Sequence, residues 1–204
     1  MTLALARMGL TVAGFQPATS VESTDEKLIE RIACGDQLAM RTLFARHRLR
    51  VYRFVLRMVR DETLAEDLLS DVFFDIWRQA DRFEARAAVS TWILGIARFK
   101  ALSALRQRQN VAFDDEMAAT IEDPADNPEI ALQHKRGVEA LRHCLTKLSS
   151  AHAEVIDLVY YHGKSIKETA QIVGISDATV KTRMFYARKR LAQLVQDTDP
   201  TTIH

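Results

Sequence analysis

Residues 165–195 constrain the fold more than any other stretch. Ser165-Ile-Lys-Glu168 has the spacing of a capping box, in which a serine hydroxyl and a glutamate three residues on satisfy each other's backbone donors at a helix start. Gly174 ends that short helix, and Ser176 is placed to cap a longer one from Asp177 to about Val195. A short helix, a Val-Gly-Ile-Ser turn and a longer helix form a helix-turn-helix pattern, with the small Ala170 where the two helices cross. On the longer helix Val180, Met184, Ala187, Leu191 and Leu194 recur at steps of four and three, so they face inward. Thr179, Thr182, Arg183, Tyr186 and Arg190 fall on the opposite side. With Lys181 they form a candidate DNA-contact set, and no acid occurs from Ala178 through Gln196. Arginine can reach guanine bidentately in the major groove, threonine can contact base or phosphate, and both cations neutralise backbone.

Net charge says the opposite at first. With 28 basic and 27 acidic residues the chain carries only +1, which argues against a uniformly basic nucleic-acid coat. Resolved along the chain, residues 25–109 hold 16 basic and 12 acidic side chains, and residues 134–204 hold 11 and 7. Between them, residues 110–133 hold seven acids, no Lys or Arg, and both Pro124 and Pro128. That stretch reads as a linker, and its 21 residues from Asn110 to Ile130 could span roughly 70 Å when extended. The expected fold is all-α: two small helical domains joined by a flexible acidic linker, the C-terminal one a helix-turn-helix. The boundaries are a loose extension over 1–24, a helical domain over 25–109, the linker over 110–133, the helix-turn-helix domain over 134–197 and a tail over 198–204. The second domain opens with a helix from about Gln133 to Lys147 and another over Ala151–Tyr161, capped by Ser149 or Ser150.

The first domain is written in helical period. Ser23 or Thr24 caps a helix from Asp25 that Gly35 ends, and a longer one runs to about Arg60 with Leu43, Val51, Phe54 and Val55 inward. Thr63-Leu-Ala-Glu66 is a second capping-box signature, opening a helix to about Gln79. Along it Asp67, Asp71 and Asp75 stack at i, i+4 and i+8, where like charges repel by a few tenths of a kcal/mol per pair. The stack has three readings: a solvated face near a helix start, a docking face for a basic partner, or, less favoured, a metal site lacking ligands from a second element. After the connector Glu84–Ala88, Ser90 is placed to cap a helix to about Gln109. No acid occurs between Arg86 and Gln109, which favours phosphate contact. Trp92 reads as a core aromatic ahead of a base-stacking platform.

Other classes find little support. There is no Gly-rich phosphate loop, nucleophile motif or HExxH, so an enzyme, a metal site and a cofactor are not expected. Cys34 and Cys144 lie far apart and suit a reducing cytosol rather than a disulfide framework. His134, His143 and Cys144 invite a metal or redox idea but read better as surface or satisfied groups. No apolar run approaches a membrane span. Met1–Phe15 is apolar but interrupted by Arg7, and reads as an extension or an early start with Met8 as alternative, not a signal peptide. A helix-turn-helix transcription regulator, binding DNA without acting as a polymerase subunit, shares residues 165–195. It would normally begin with an α/β receiver domain, and no strand-rich segment is present.

Asp61–Phe83, Ser90–Arg106 and Ser165–Leu191 together resemble an extracytoplasmic-function (ECF) sigma factor. The resemblance implies a promoter-recognition subunit of bacterial RNA polymerase, in the cytoplasm, that also assists strand opening. It implies docking of Glu66, Asp67, Asp71 and Asp75 on the β′ clamp helices of core enzyme, with a further contact to the β flap. It implies −10 contacts from Arg86, Ser90, Arg98, Lys100 and Arg106, and −35 contacts from the final helix. An anti-sigma partner is implied as well. The acidic linker is expected to thread a basic channel of polymerase. The chain departs from the family's common Gln-Glu at Ser70-Asp71, Arg at Gly95, Asn at Phe99 and a Pro pair at Ser149-Ser150. Its −10 preference is therefore not carried over.

Overall fold

The computed structural model describes residues 24–111 and 144–198, and among these every regular element is helical. The N-terminal extension, the acidic linker from residue 112, most of the helix expected from Gln133, His134, His143 and the tail from residue 199 lie outside the described residues. Helix α1 (Asp25–Ala33) starts at Thr24, whose hydroxyl accepts from the Lys27 N–H at 3.5 Å, and buries Leu28, Ile29 and Ile32. Gly35 turns the chain with φ of +84°, a conformation that suits a residue without Cβ. Asp36 then caps α2 (Gln37–Val59), accepting from the Leu38 and Ala39 N–H groups at 2.8 and 3.1 Å.

The next cap differs from the sequence expectation. Helix α3 (Glu62–Gln79) is capped by Asp61, whose carboxylate accepts from the Leu64 N–H at 2.9 Å, and not by a box at Thr63. A carboxylate is the stronger acceptor, and its other oxygen takes Arg108 at 2.6 Å, tying the start of α3 to the end of α4 (Val89–Val111). Helix α4 also starts two residues early, at Val89 rather than Thr91. The Thr91 and Trp92 N–H groups donate to the Ala88 carbonyl, so Ser90 lies within the first turn and its hydroxyl is released from capping. Phe54, Val72, Ile76 and Ile93 centre the core these helices share, and Phe44 meets Phe73 edge-on at 4.8 Å.

The C-terminal part begins with α5 (Ser150–Ile156), which runs on into a π-helical turn over Asp157–Tyr161. Helix α6 (Ile166–Val173) carries the expected capping box: Glu168 N–H donates to Ser165 Oγ at 3.2 Å and Ser165 N–H to Glu168 Oε2 at 3.0 Å. Gly174 ends α6 at φ +73°, and Ser176 accepts from the Thr179 N–H at 3.2 Å at the start of α7 (Asp177–Thr198). Val155, Ala170, Val180, Met184 and Ala187 form a second, smaller core. Ser165→Ala, which removes one half of the box, is expected to lower the unfolding free energy by about 1 kcal/mol, read as an earlier urea midpoint at unchanged slope. Leu158, Ile172 and Val173 pack with the core of the N-terminal part, so α6 lies against α4.

Candidate nucleic-acid interface

Helix α7 is oriented by its apolar stripe. Val180, Met184, Ala187 and Leu194 are buried and Leu191 is half-buried, which turns Lys181, Thr182, Tyr186 and Arg190 to solvent and leaves Thr179 and Arg183 partly exposed. The threonines are held by their own helix: Thr179 Oγ1 lies 2.8 Å from Ser176 Oγ, and Thr182 Oγ1 donates to the Ala178 carbonyl at 3.0 Å. Among the described residues no ion pair engages Lys181, Arg183 or Arg190. This face can meet a polyanion at little desolvation cost.

On α3, Glu66, Asp67 and Asp71 are exposed. Asp75 is turned inward to Lys100 of α4, 2.9 Å from its Nζ, and Asp71 lies 3.9 Å from the same ammonium. A cation supplied by the neighbouring helix offsets the repulsion within the carboxylate stack. Lys100, expected on the basic face, is thus shared with the acidic one. Among the described residues no three potential metal ligands gather.

The other expected DNA contacts on and just before α4 divide in two. Arg86 and Arg106 are exposed, with Glu84 2.6 Å from Arg86. Ser90 and Arg98 are taken by the C-terminal part. Arg98 Nε donates to Glu154 Oε1 at 2.6 Å, and its Nη2 reaches Oε2 at 3.4 Å. The buried Lys164 ammonium donates to Ser90 Oγ at 2.6 Å, Thr91 Oγ1 at 3.0 Å and Glu168 Oε1 at 3.1 Å, while Thr91 also donates to Glu168 at 2.8 Å. Burial opposes the Glu168 charge, but the Ser165 backbone N–H, the Thr91 and Ser165 hydroxyls and Lys164 outweigh it, so its carboxyl is pulled down to about 2. Alongside, Arg57 pairs with Asp157 and lies over the Tyr161 ring, 4.3 Å from its centroid. His162 faces Asp157 at 3.3 Å and meets Phe54 edge-on at 5.5 Å. Desolvation first, then the charges of Arg57, Arg50 and Lys164, push its pKa down to about 4.

Glu154, Lys164 and Glu168 were absent from the sequence-derived sites, because their partners on α4 lie 56 to 77 residues away and leave no local trace. Trp92 is half-buried against Phe83, ring centroids 5.0 Å apart, as a core aromatic would be. Phe99 on α4 is 70% exposed. Cys34 is exposed and Cys144 buried.

The comparisons with known proteins fall on these same surfaces. The Sigma-70 region 2 family matches residues 43–111, which hold the carboxylate stack and α4, and the Sigma-70 region 4 family matches residues 138–191. The chain is 34% identical over 170 residues to the RNA polymerase sigma factor CarQ of Myxococcus xanthus, covering 82% of this chain and 95% of that one. It is 29% identical over 163 residues to the ECF RNA polymerase sigma factor SigK of Mycobacterium sp. strain KMS, with 77% and 83% covered. Its fold is shared with the sigma factor RpoE in complex with the anti-sigma factor NepR from Bartonella quintana, at a TM-score of 0.65 and 24% identity over 76% of this chain and 96% of that one. It is shared too with CnrH in complex with the cytosolic domain of CnrY, at 0.64 and 23% over 86% and 99%. A helix-turn-helix regulator would account for α6 and α7 but leave the match over residues 43–111 without a role. Both halves of the chain, in order and on the surfaces their chemistry marks out, place it among the ECF RNA polymerase sigma factors.

Proposed function

We propose that this sigma factor works by adding small binding energies across one large polymerase. The exposed carboxylates Glu66, Asp67 and Asp71, with Asp75 behind them, dock on the β′ clamp helices. The helix-turn-helix domain of residues 134–197 rides on the β flap and sets α7 in the major groove of the −35 element. There Arg183, Arg190 and Lys181 supply base-edge and phosphate contacts, with Thr179, Thr182 and Tyr186 beside them. Arg86, Ser90, Arg98, Lys100 and Arg106, on and before α4, meet the −10 element, and extruded single-stranded bases near Glu84–Arg98 favour the open strands. Each domain alone offers few phosphate contacts, so DNA binding by the free chain is weak and steeply salt-dependent; on polymerase each later contact becomes intramolecular. The chain makes and breaks no bond itself and acts in the cytoplasm with polymerase. An anti-sigma factor restrains it, as the complexes of its structural neighbours suggest.

The observation that carries this reading is the outward face of α7, acid-free from Ala178 through Gln196, paired with an exposed carboxylate face on α3. Run-off transcription with core polymerase tests it, since promoter-specific product should require this chain. Arg183→Ala is expected to cut that product about tenfold or more, the cost of one lost bidentate contact, while co-purification with core enzyme is unchanged. Loss of both would mean misfolding. Asp71→Lys should do the reverse, reducing co-purification and sparing the DNA-facing surface. Retention of core enzyme by Asp71→Lys would remove α3 from the docking surface.

A further inference from the structure

We infer that Phe99 and Gly95 form a stacking notch on α4, which holds one unpaired base of the opened strand by its face and makes no hydrogen bond to its edge. The inference rests on the reading of α4 as the −10 surface and names the side chain that fixes its selectivity at one position.

Phe99 is the most exposed large apolar side chain among the described residues, at 70%, while Ile93, Leu94, Ala97 and Ala101 of the same helix are buried. It packs into neither apolar core. Helix geometry explains how the ring stays bare. Side chains lean toward the preceding turn, so residue 99 stands above residue 95. Residue 95 is a glycine, and nothing lies within 4 Å of the place its Cβ would take. One turn before Gly95 the chain has Trp92, which is held against Phe83 and closes the other end of the gap.

A nucleic-acid base suits this place better than a protein surface does. Phe99 is the one large apolar side chain exposed on α4 among the described residues, too narrow a patch for a protein interface core. A single bare ring is what stacking needs, and every base offers a flat π-face to it. The strand that carries the base needs cations, and α4 contains no acid. Arg106 lies two turns beyond Phe99 on the same side, about 10 Å along the axis, exposed. Among the described residues no ion pair engages it. The neighbouring Arg98 and Lys100 project to either side, toward Glu154 and Asp75, and leave this strip clear. Gly95 and Phe99 are also two of the positions at which the chain departs from the family's common Arg and Asn. Those residues hydrogen-bond; a ring beside a gap does not, so the base is held with little regard to its identity.

The test uses the full chain at low salt with two short fluorescein-labelled single strands, one of mixed sequence and one of equal length with abasic sugars throughout. The wild type is expected to bind the base-bearing strand at least about fivefold more tightly than the abasic one. Phe99→Ala should lose that preference and leave abasic binding, which reads phosphate contacts alone, unchanged. Phe99→Trp should keep the preference; Phe99→Leu, apolar but without a π-face, should not. Gly95→Arg fills the gap, so abasic binding should rise with the added charge while the preference for bases falls. Phe99 is on the surface, so its variants should keep the wild-type urea midpoint. With core enzyme, Phe99→Ala should lower run-off product by a similar factor at unchanged co-purification. Equal binding of the two strands by the wild type overturns the notch, as does a preference that survives in Phe99→Ala or Phe99→Leu. Loss of core enzyme by Phe99→Ala would assign the ring to a protein interface and overturn it too. The oligonucleotide result needs no polymerase. A wild type that shows the preference but directs no transcription therefore removes the promoter reading and leaves a single-strand site.

Discussion

Phe54→Ala is expected to lower the unfolding free energy by about 3–5 kcal/mol, a third or more of what a domain of this size holds in reserve. Phe54 is the largest of the fully buried side chains, 1% exposed, and sits on α2 where α3 and α4 converge. Its surroundings cannot easily close on the cavity. Arg108 on Asp61 fixes α4 to α3, and Arg46 and His47 of α2 hold Asp25 of α1 at 2.9 and 2.6 Å. The ring also presents itself to His162, so its loss removes part of the surface on which the C-terminal domain rests. Both tryptophans, Trp77 and Trp92, lie in the N-terminal part and report its unfolding. The measurement is the urea midpoint by tryptophan fluorescence. A drop worth less than about 1 kcal/mol would mean that the helices collapse onto the gap and that Phe54 is not the pivot of the core.

What the sequence reveals here follows the range of the interactions. The capping box at Ser165, the stop at Gly174 and the cap at Ser176 each involve residues three or four apart, and all three stand in the structure as read. The α7 stripe is equally local, since one helical period decides it. The α3 cap was misplaced because Thr63-Leu-Ala-Glu66 fits the pattern, while Asp61 wins through a stronger acceptor and an arginine 47 residues away. The acid-free run from Arg86 to Gln109 was read as an open cationic face. Acids from elsewhere in the chain reach it: Asp75 at Lys100, Glu154 at Arg98, and Glu168 at Thr91 beside Ser90. A run without acids along one helix says nothing of the acids that other helices bring. The docking of α6 on α4 was invisible for the same reason, since the linker separates the two partners in sequence.

Acid is expected to separate the C-terminal part from α2 and α4, taking the chain from this closed form to an open one, between about pH 6.5 and pH 4, with His162 as the group responsible. Its ring faces Phe54 of α2 and, on the same element, Arg50 and Arg57; from its own side Lys164 and Asp157 face it, and His47 and Ser90 line the adjoining small cavity. Desolvation and the three cations hold its pKa near 4, against about 6.5 in water. The open state therefore binds the proton more tightly than the closed one. Above pH 6.5 both states are neutral at this site and closure is undiminished; as pH falls the open state is favoured, and the full penalty is reached near pH 4. A shift of that size corresponds to about 2–3 kcal/mol once discounted for a ring that separation returns only partly to water. Glu168, held near 2 while Thr91 donates to it, moves back toward the ordinary carboxylate range on separation, so it adds to the response only at the acid end of this window. The radius of gyration of the wild type should rise on acidification while its helical circular dichroism holds, and His162→Gln should flatten that rise. An identical pH response in His162→Gln would move the acid sensitivity to another group.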